Sequence, residues 1–89
     1  LLSLDAPASK IISLTDAEIV ETTAQNGSPI TKGPIATLKL PRDITLAGVI
    51  HDGCGMLVNG DTNIHPGDHT VVVCRAGAIL KVKQLFTTK

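Results

Sequence analysis

Three short aliphatic runs, separated by dense clusters of turn-forming residues, constrain the fold of this chain more than any other feature. The runs cover residues 44–50, 56–58 and 70–74. Glycine, asparagine, aspartate and proline between them favour turns, so the runs are predicted to form a three-strand meander. The corner between the second and third strands is expected to bury Ile64 and to leave its carboxylates outside, in solvent.

The remaining elements follow from local patterns along the chain. Residues 17–24 are rich in β-branched side chains and predict a strand. Pro34 suits the first position of a short helix, which Pro41 then ends. Residues 78–86 carry apolar side chains at helical spacing and predict an amphipathic C-terminal helix. The expected fold is therefore α+β: a strand, a short helix, the three-strand meander and a terminal helix, built on a small mixed sheet.

A chain of 89 residues is expected to form one domain. A domain of this size buries only a small core, so its stability is expected to be low. Leu1 to Leu4 are predicted to be the last turn of a helix that arrives from a preceding segment. Lys10 to Leu14 are expected to form a short extended lead-in. Residues 1–16 are thus assigned to this connection and residues 17–89 to the domain itself.

Charge and composition exclude several classes of function. Eight basic and eight acidic residues cancel without any Lys or Arg cluster, and the chain has one aromatic residue, so nucleic-acid binding is not expected. No apolar run approaches the roughly 20 residues that span a bilayer, and direct membrane insertion is not expected. Without an export signal we expect a cytoplasmic protein in which Cys54 and Cys74 are free, mostly buried thiols, with a single disulfide as the alternative.

His51, Asp52 and Cys54 offer the side chains of a thiol–imidazole–carboxylate arrangement. Adjacent residues of a strand point to opposite faces, so His51 and Asp52 are not expected to act on one reacting atom. The favoured interpretation is an Asp-Gly turn between a surface histidine and a buried cysteine. We therefore predict no enzymatic activity.

His65 and His69 are four residues apart, as in helical zinc pairs, but the Pro-Gly pair between them prevents a helix. Asp61 and Asp68 lie nearby, and oxygen-rich loops can hold hard cations. The favoured interpretation is a solvated turn in which both aspartates cap backbone amides. No metal ion is expected.

An exposed aliphatic patch is the candidate interaction surface. A sheet this small, with helices on one side, cannot have both faces covered, so Val49, Ile50, Met56 and Leu57 are predicted to form a dimer surface. The alternative is that these side chains belong to the core. Any ligand is expected in the groove between two such patches, which the same four residues would line together with His51, Asp52 and Asn59.

Several segments, taken in order, resemble the C-terminal lobe of RCK proteins, the regulators of potassium conductance and uptake; this lobe is called the TrkA-C domain. The segments are residues 28–41 (SPITKGPIATLKLP), 48–53 (GVIHDG), 60–64 (GDTNI), 67–69 (GDH) and 83–86 (KQLF). Their order and spacing carry the resemblance, which spans residues 17–86. Within the family, the chain is similar to the end of the peripheral subunits of Trk potassium uptake systems.

The resemblance implies a regulatory domain that dimerises, lies on the cytoplasmic face of a membrane-embedded potassium transporter subunit, and passes ligand state to the ion pathway. It places the NAD- or ATP-type nucleotide in a preceding Rossmann lobe, and this chain has no GxGxxG, so no cofactor is expected here. Some members bind a cyclic dinucleotide between two such lobes, so the alternative function is a small-molecule sensor that binds a cyclic dinucleotide or another metabolite at the dimer groove. Many members carry Arg where this chain has His51, which lacks the bidentate phosphate contact of Arg, so an anionic ligand is not favoured.

Overall fold

The computed structural model describes residues 10–88, and this part of the chain forms one five-stranded sheet, two 3-10 turns and one α-helix. The strands are β1 (Lys10–Ser13), β2 (Ala17–Thr23), β3 (Ile44–His51), β4 (Cys54–Leu57) and β5 (His69–Arg75); the helix α1 spans Ile79–Phe86, and the 3-10 turns span Pro29–Thr31 and Ile35–Thr37. The predicted α+β class and C-terminal helix are confirmed. The helical turn predicted at residues 1–4 lies outside the described residues.

The strand order is β1-β2-β5-β3-β4, and every neighbouring pair is antiparallel. The sequence predicts a meander and a mixed sheet, and both details are wrong. Instead of pairing with β4, β5 lies between β2 and β3, where both of its edges are hydrogen-bonded. β5 contains three consecutive valines, so it carries apolar side chains on both faces of the sheet. A continuous apolar run of this kind is typical of a central strand.

The short helix predicted after Pro34 is only a 3-10 turn, Ile35–Thr37. Its backbone is tied to the corner that follows β4, since the Ile35 amide donates to the Thr62 carbonyl at 2.9 Å. Prolines at positions 34 and 41 leave too little chain between them for a regular helix. The same corner buries Ile64, as predicted.

One face of the sheet, here called the inner face, carries the core. Alternate residues of the strands are buried there: Val20 and Thr22 of β2, Ile44, Leu46 and Val49 of β3, and Thr70, Val72 and Cys74 of β5. The helix α1 packs against β2 and β5. It contributes Val82 and Phe86, both fully buried, and Ile30 and Ile64 complete the layer. Each large apolar side chain buried in this way contributes about 1.5–3 kcal/mol.

The opposite face of the sheet, here called the outer face, carries the intervening residues of the same strands. Several are large and aliphatic, and they remain accessible: Ile12 is 55 % exposed, Ile50 43 %, Leu57 87 % and Val73 37 %. In the part of the chain that the structure describes, the inner face of the sheet is therefore covered, whereas the outer face exposes these aliphatic side chains.

Candidate functional site

The seven residues predicted to line a groove lie on the β3–β4 hairpin and just after it, but the sheet divides them between its two faces. Ile50 and Leu57 lie on the outer face. Val49 is only 2 % exposed and belongs to the core, which is the alternative that the sequence leaves open for it. Met56 pairs with Val49 on the inner side and stays half-exposed, because β4 is an edge strand.

A β-bulge at Ala47 decides this division. Between Leu46 and Gly48 the partner strand β5 advances by one residue while β3 advances by two. The alternation of side chains is shifted by the extra residue, so that Leu46 and Val49, three apart, are both buried. As a consequence, His51 follows Val49 on the inner side of the sheet.

The β3–β4 hairpin closes through a two-residue turn of type I′. Asp52 and Gly53 have φ angles of 50° and 81°, and both lie in the left-handed region that this turn requires. The pair His51 and Cys54 is the last of the ladder before the turn. The Asp-Gly turn predicted from the sequence is confirmed, and it fixes His51 at the tip of β3.

A second turn, residues 65–68, leads into β5. The Asp68 amide donates to the His65 carbonyl at 3.0 Å, and Gly67 between them has a φ of 90°, as a Pro-Gly turn of type II requires. The Gly67 amide also donates to the Ala24 carbonyl at 2.8 Å, which anchors the turn to the end of β2. These two backbone hydrogen bonds therefore fix the positions of His65 and Asp68 relative to the sheet.

The two turns bring His51, His65 and Asp68 together, and we call these residues the histidine–aspartate cluster. His51 Nδ1 lies 2.5 Å from Asp68 Oδ1, and His65 Nδ1 lies 3.6 Å from Asp68 Oδ2. The two imidazole rings are 4.9 Å apart between centroids and tilted by 41°. The side chain of Asp68 is 5 % exposed, against 39 % for His51 and 59 % for His65. The expectation that both aspartates of this corner are solvated is wrong for Asp68, but its predicted role as a turn cap is confirmed, because the His65 amide donates to Asp68 Oδ2 at 2.9 Å.

The surroundings of His51 favour a positive charge on its ring. The hydrogen bond with Asp68 is the largest cause that raises the pKa of His51; partial desolvation opposes it, and the charges of Asp52 and Asp68 add to it. The His51 ring therefore lies between two carboxylates, those of Asp52 and Asp68. An incoming phosphate would meet those two negative charges, so this arrangement does not favour an anionic ligand.

Asp52 meets His51 more closely than strand geometry predicts. Its Oδ2 lies 3.3 Å from His51 Nε2, because Asp52 stands in the turn and not on the strand. Both nitrogens of His51 therefore face carboxylates.

Both cysteines are free, as predicted, although Cys54 is exposed and only Cys74 is buried. Burial is the main cause that raises the pKa of the Cys74 thiol. Neither thiol belongs to the histidine–aspartate cluster.

Asn59 acts as a turn cap. Its side-chain oxygen accepts a hydrogen bond from the Asp61 amide at 2.8 Å, and its backbone amide donates to Thr62 Oγ1 at 3.0 Å. This Asx-type turn is built by Asn59, whereas the sequence predicts that Asp61 caps the corner. Asp61 itself is exposed.

Sequence reasoning misses two features of this region. It does not link His51 to Asp68, which are 17 residues apart, because the link depends on the bulge and on the place of β5 beside β3. It also misses Ile12 and Val73 as parts of an open apolar face, because their alignment depends on the strand order. The Gly48 within an aliphatic strand is the signal that could indicate a bulge.

The sequence of this chain is similar to a known protein family and to a potassium uptake protein. The model of the TrkA-C domain family matches residues 19–87. The chain is 31 % identical over 70 residues to a protein of Methanosarcina mazei named "Trk system potassium uptake protein TrkA homolog 2". This match covers 79 % of the chain and 16 % of that relative. Between residues 10 and 88, none of the helical structure is long and apolar enough to cross a membrane. Because the family model covers well over half of the sequence, the chain belongs to the TrkA-C domain family.

Proposed function

We propose that this domain is a regulatory, non-catalytic part of a potassium uptake protein and that it self-associates through the outer face of its sheet. The relative described above is named for potassium uptake. The chain spans 16 % of the length of that relative, so its role in transport is inferred from family membership and from the name of the relative. Self-association is inferred from the surface of the domain itself.

The open apolar face is the observation that carries this proposal. Two rows of cross-strand neighbours supply the apolar part of the outer face. One joins Ile12, Ile19 and Val73 and ends at Thr45; the other begins at Glu21 and joins Val71 to Leu57 across Gly48, which has no side chain. Ile50 lies beside the second row and is 43 % exposed. Contiguous apolar surface of this kind marks interaction sites on soluble proteins.

A second copy of this chain is the occupant that fits the face. The apolar residues are spread over strands from both edges of the sheet, so the same surface can meet itself about a two-fold axis. A small domain also gains from such contact, because a chain of 89 residues buries only a limited core when it is alone. Dimerisation therefore supports both the stability and the regulatory role that we propose.

The proposal extends to the place and the partners of the full protein. A regulatory domain of a potassium uptake system would act at the cytoplasmic side of a membrane-embedded transporter subunit and would not enter the bilayer itself. The NAD- or ATP-type nucleotide would be bound by a preceding lobe. In the described residues, His51 is already paired with Asp52 and Asp68, and we do not extend the proposal to a cyclic dinucleotide at this position.

Analytical ultracentrifugation over a range of protein concentrations tests the self-association. The Leu57→Lys variant places a charge on the most exposed aliphatic residue of the outer face, where the side chain is 87 % accessible and the fold is not disturbed. We expect a wild-type dimer, and we expect this variant to raise the dimer dissociation constant by at least about tenfold. Ile50→Lys should act in the same direction.

Leu80→Lys is the matched control, since Leu80 is 64 % exposed but lies on α1, away from the outer face. It should leave the dissociation constant unchanged. Circular dichroism and urea unfolding establish that each variant is folded. A wild-type protein that stays monomeric at high concentration, or a dimer that Leu80→Lys weakens and Leu57→Lys does not, contradicts the proposal.

A further inference from the structure

The histidine–aspartate cluster combines three groups that are all ligands of divalent transition metals. One ligand atom from each of His51, His65 and Asp68 can be chosen so that all three lie within 4.8 Å of one another. Two imidazole nitrogens and one carboxylate form a ligand set that suits zinc and its first-row neighbours, whereas magnesium and calcium favour oxygen alone. The cluster opens to solvent through the partly exposed rings of the two histidines.

The charge of Asp68 supports the interpretation of the cluster as a metal site. A carboxylate that is only 5 % exposed is costly to bury unless a positive group offsets its charge. Asp68 Oδ2 accepts a hydrogen bond from the His65 amide at 2.9 Å, but in the described part of the chain the ion-pair partners found for Asp68 are both imidazoles, which carry a full charge only when protonated. A divalent cation held between the same three side chains would supply that charge without a proton.

The second nitrogen of His51 adds an independent observation. Histidines that bind a metal through one ring nitrogen usually donate the other N–H to a carboxylate, which fixes the tautomer and the ring orientation. In this structure His51 Nδ1 faces the cluster, and its Nε2 lies 3.3 Å from Asp52 Oδ2. The type I′ turn thus places Asp52 where an outer-shell partner of a metal-bound histidine is found.

We propose that His51 Nδ1, His65 Nδ1 and the carboxylate of Asp68 bind one zinc-type divalent ion, with the remaining coordination position open to solvent. Zinc bonds of about 2.0–2.1 Å in a tetrahedral arrangement place neighbouring ligand atoms roughly 3.3 Å apart. The His65–Asp68 separation of 3.6 Å is already close to that value. Binding requires the His51–Asp68 contact to open from 2.5 Å to that spacing and the exposed His65 ring to rotate toward His51, since one ligand atom from each of the three residues already lies within 4.8 Å of the others.

Binding at this place has a structural consequence. His51 ends β3, and the other two ligands lie in the turn that leads into β5, so the ion would link the β3–β4 hairpin to the 65–68 turn. The ion would therefore stabilise the folded chain in proportion to its free concentration, because the unfolded chain does not hold the three ligands together. This inference is independent of the proposed self-association, which uses the opposite face of the sheet.

Isothermal titration calorimetry with zinc chloride, in a buffer that does not chelate metals, tests the site directly. We expect one zinc ion per chain, a rise in melting temperature with zinc, and, with cobalt chloride in its place, the visible absorption of tetrahedral cobalt. His65→Ala removes an exposed ligand and should weaken zinc binding by at least about tenfold. The same variant should abolish the cobalt spectrum.

His69→Ala is the matched control, because His69 is a histidine of the same segment that lies outside the cluster. It should leave binding unchanged, and so should Cys54→Ser, which removes an exposed thiol that could bind zinc by itself. Circular dichroism without metal shows whether each variant keeps the fold. The proposal is overturned if wild-type protein does not bind zinc, if His69→Ala weakens binding as much as His65→Ala, or if Cys54→Ser removes it.

Discussion

Val72 and Val73 form a matched pair for testing the assignment of the two faces of the sheet. They are neighbours of the same residue type on the central strand β5, but Val72 is fully buried on the inner face, whereas Val73 is 37 % exposed on the outer face. Replacing each by alanine makes the same chemical change and has the same direct effect on strand propensity. Any difference between the two variants therefore reports the environment of the side chain.

The expected difference can be worked out from burial. Valine to alanine removes two carbon groups, and at about 0.8 kcal/mol each the transfer cost of Val72→Ala is about 1.6 kcal/mol. The cavity left in a closed core raises this to about 2–3 kcal/mol. Val73 is about two thirds buried and has no closed cavity on its outer side, so Val73→Ala should cost about 1 kcal/mol. A gap of about 1–2 kcal/mol corresponds to roughly 5–15 °C in melting temperature for a domain of this size.

Urea unfolding followed by circular dichroism measures this gap, at a protein concentration low enough for the chain to be monomeric. At high concentration, Val73→Ala should also weaken self-association, while Val72→Ala should affect it only through overall stability. Equal destabilisation by the two substitutions, or a greater effect at Val73, would refute the assignment of the inner and outer faces.

Two further predictions concern a backbone turn and an ion pair. Gly53→Ala should lower the free energy of unfolding by about 1–2 kcal/mol, because Gly53 has a φ of 81°, which alanine adopts only with strain. Steric contact is not the cause, since a Cβ at Gly53 meets no other atom within 4 Å. Gly55→Ala is the control: a Cβ there also meets no atom, but Gly55 lies in β4, so the substitution should be neutral or mildly stabilising in urea unfolding. Lys81 Nζ donates to Asp43 Oδ2 at 3.0 Å, and this hydrogen bond is the largest cause that lowers the pKa of Asp43. A lowered pKa in the folded state means that the pair stabilises the fold above the ordinary value of 3.8 and that this contribution disappears as the pH falls through the folded-state value. Lys81→Met should therefore raise the pKa of Asp43 in an NMR titration and weaken the loss of stability in acid; an unchanged pKa contradicts this reading.

The parts of the fold that depend on local chemistry are predictable from the sequence. The Asp-Gly pair at positions 52 and 53 specifies a hairpin turn, because aspartate and glycine tolerate positive φ. The helical spacing at the end of the chain specifies α1, whose Val82 and Phe86 face the core. The strand order is different in kind. The sequence of residues 69–75 alone does not indicate that this strand pairs with both β2 and β3. The pairing depends on how all five strands pack against one hydrophobic core.

The bulge at Ala47 shows how one such non-local detail creates the candidate sites. Regular alternation from Leu46 would place Ile50 on the inner face and His51 on the outer face, away from Asp68. The extra residue in β3 reverses both assignments: it sends Ile50 outward into the apolar face and turns His51 inward to the buried carboxylate. The proposed dimer surface and the proposed metal site therefore have a common origin, and a change that removed the bulge would disturb both together.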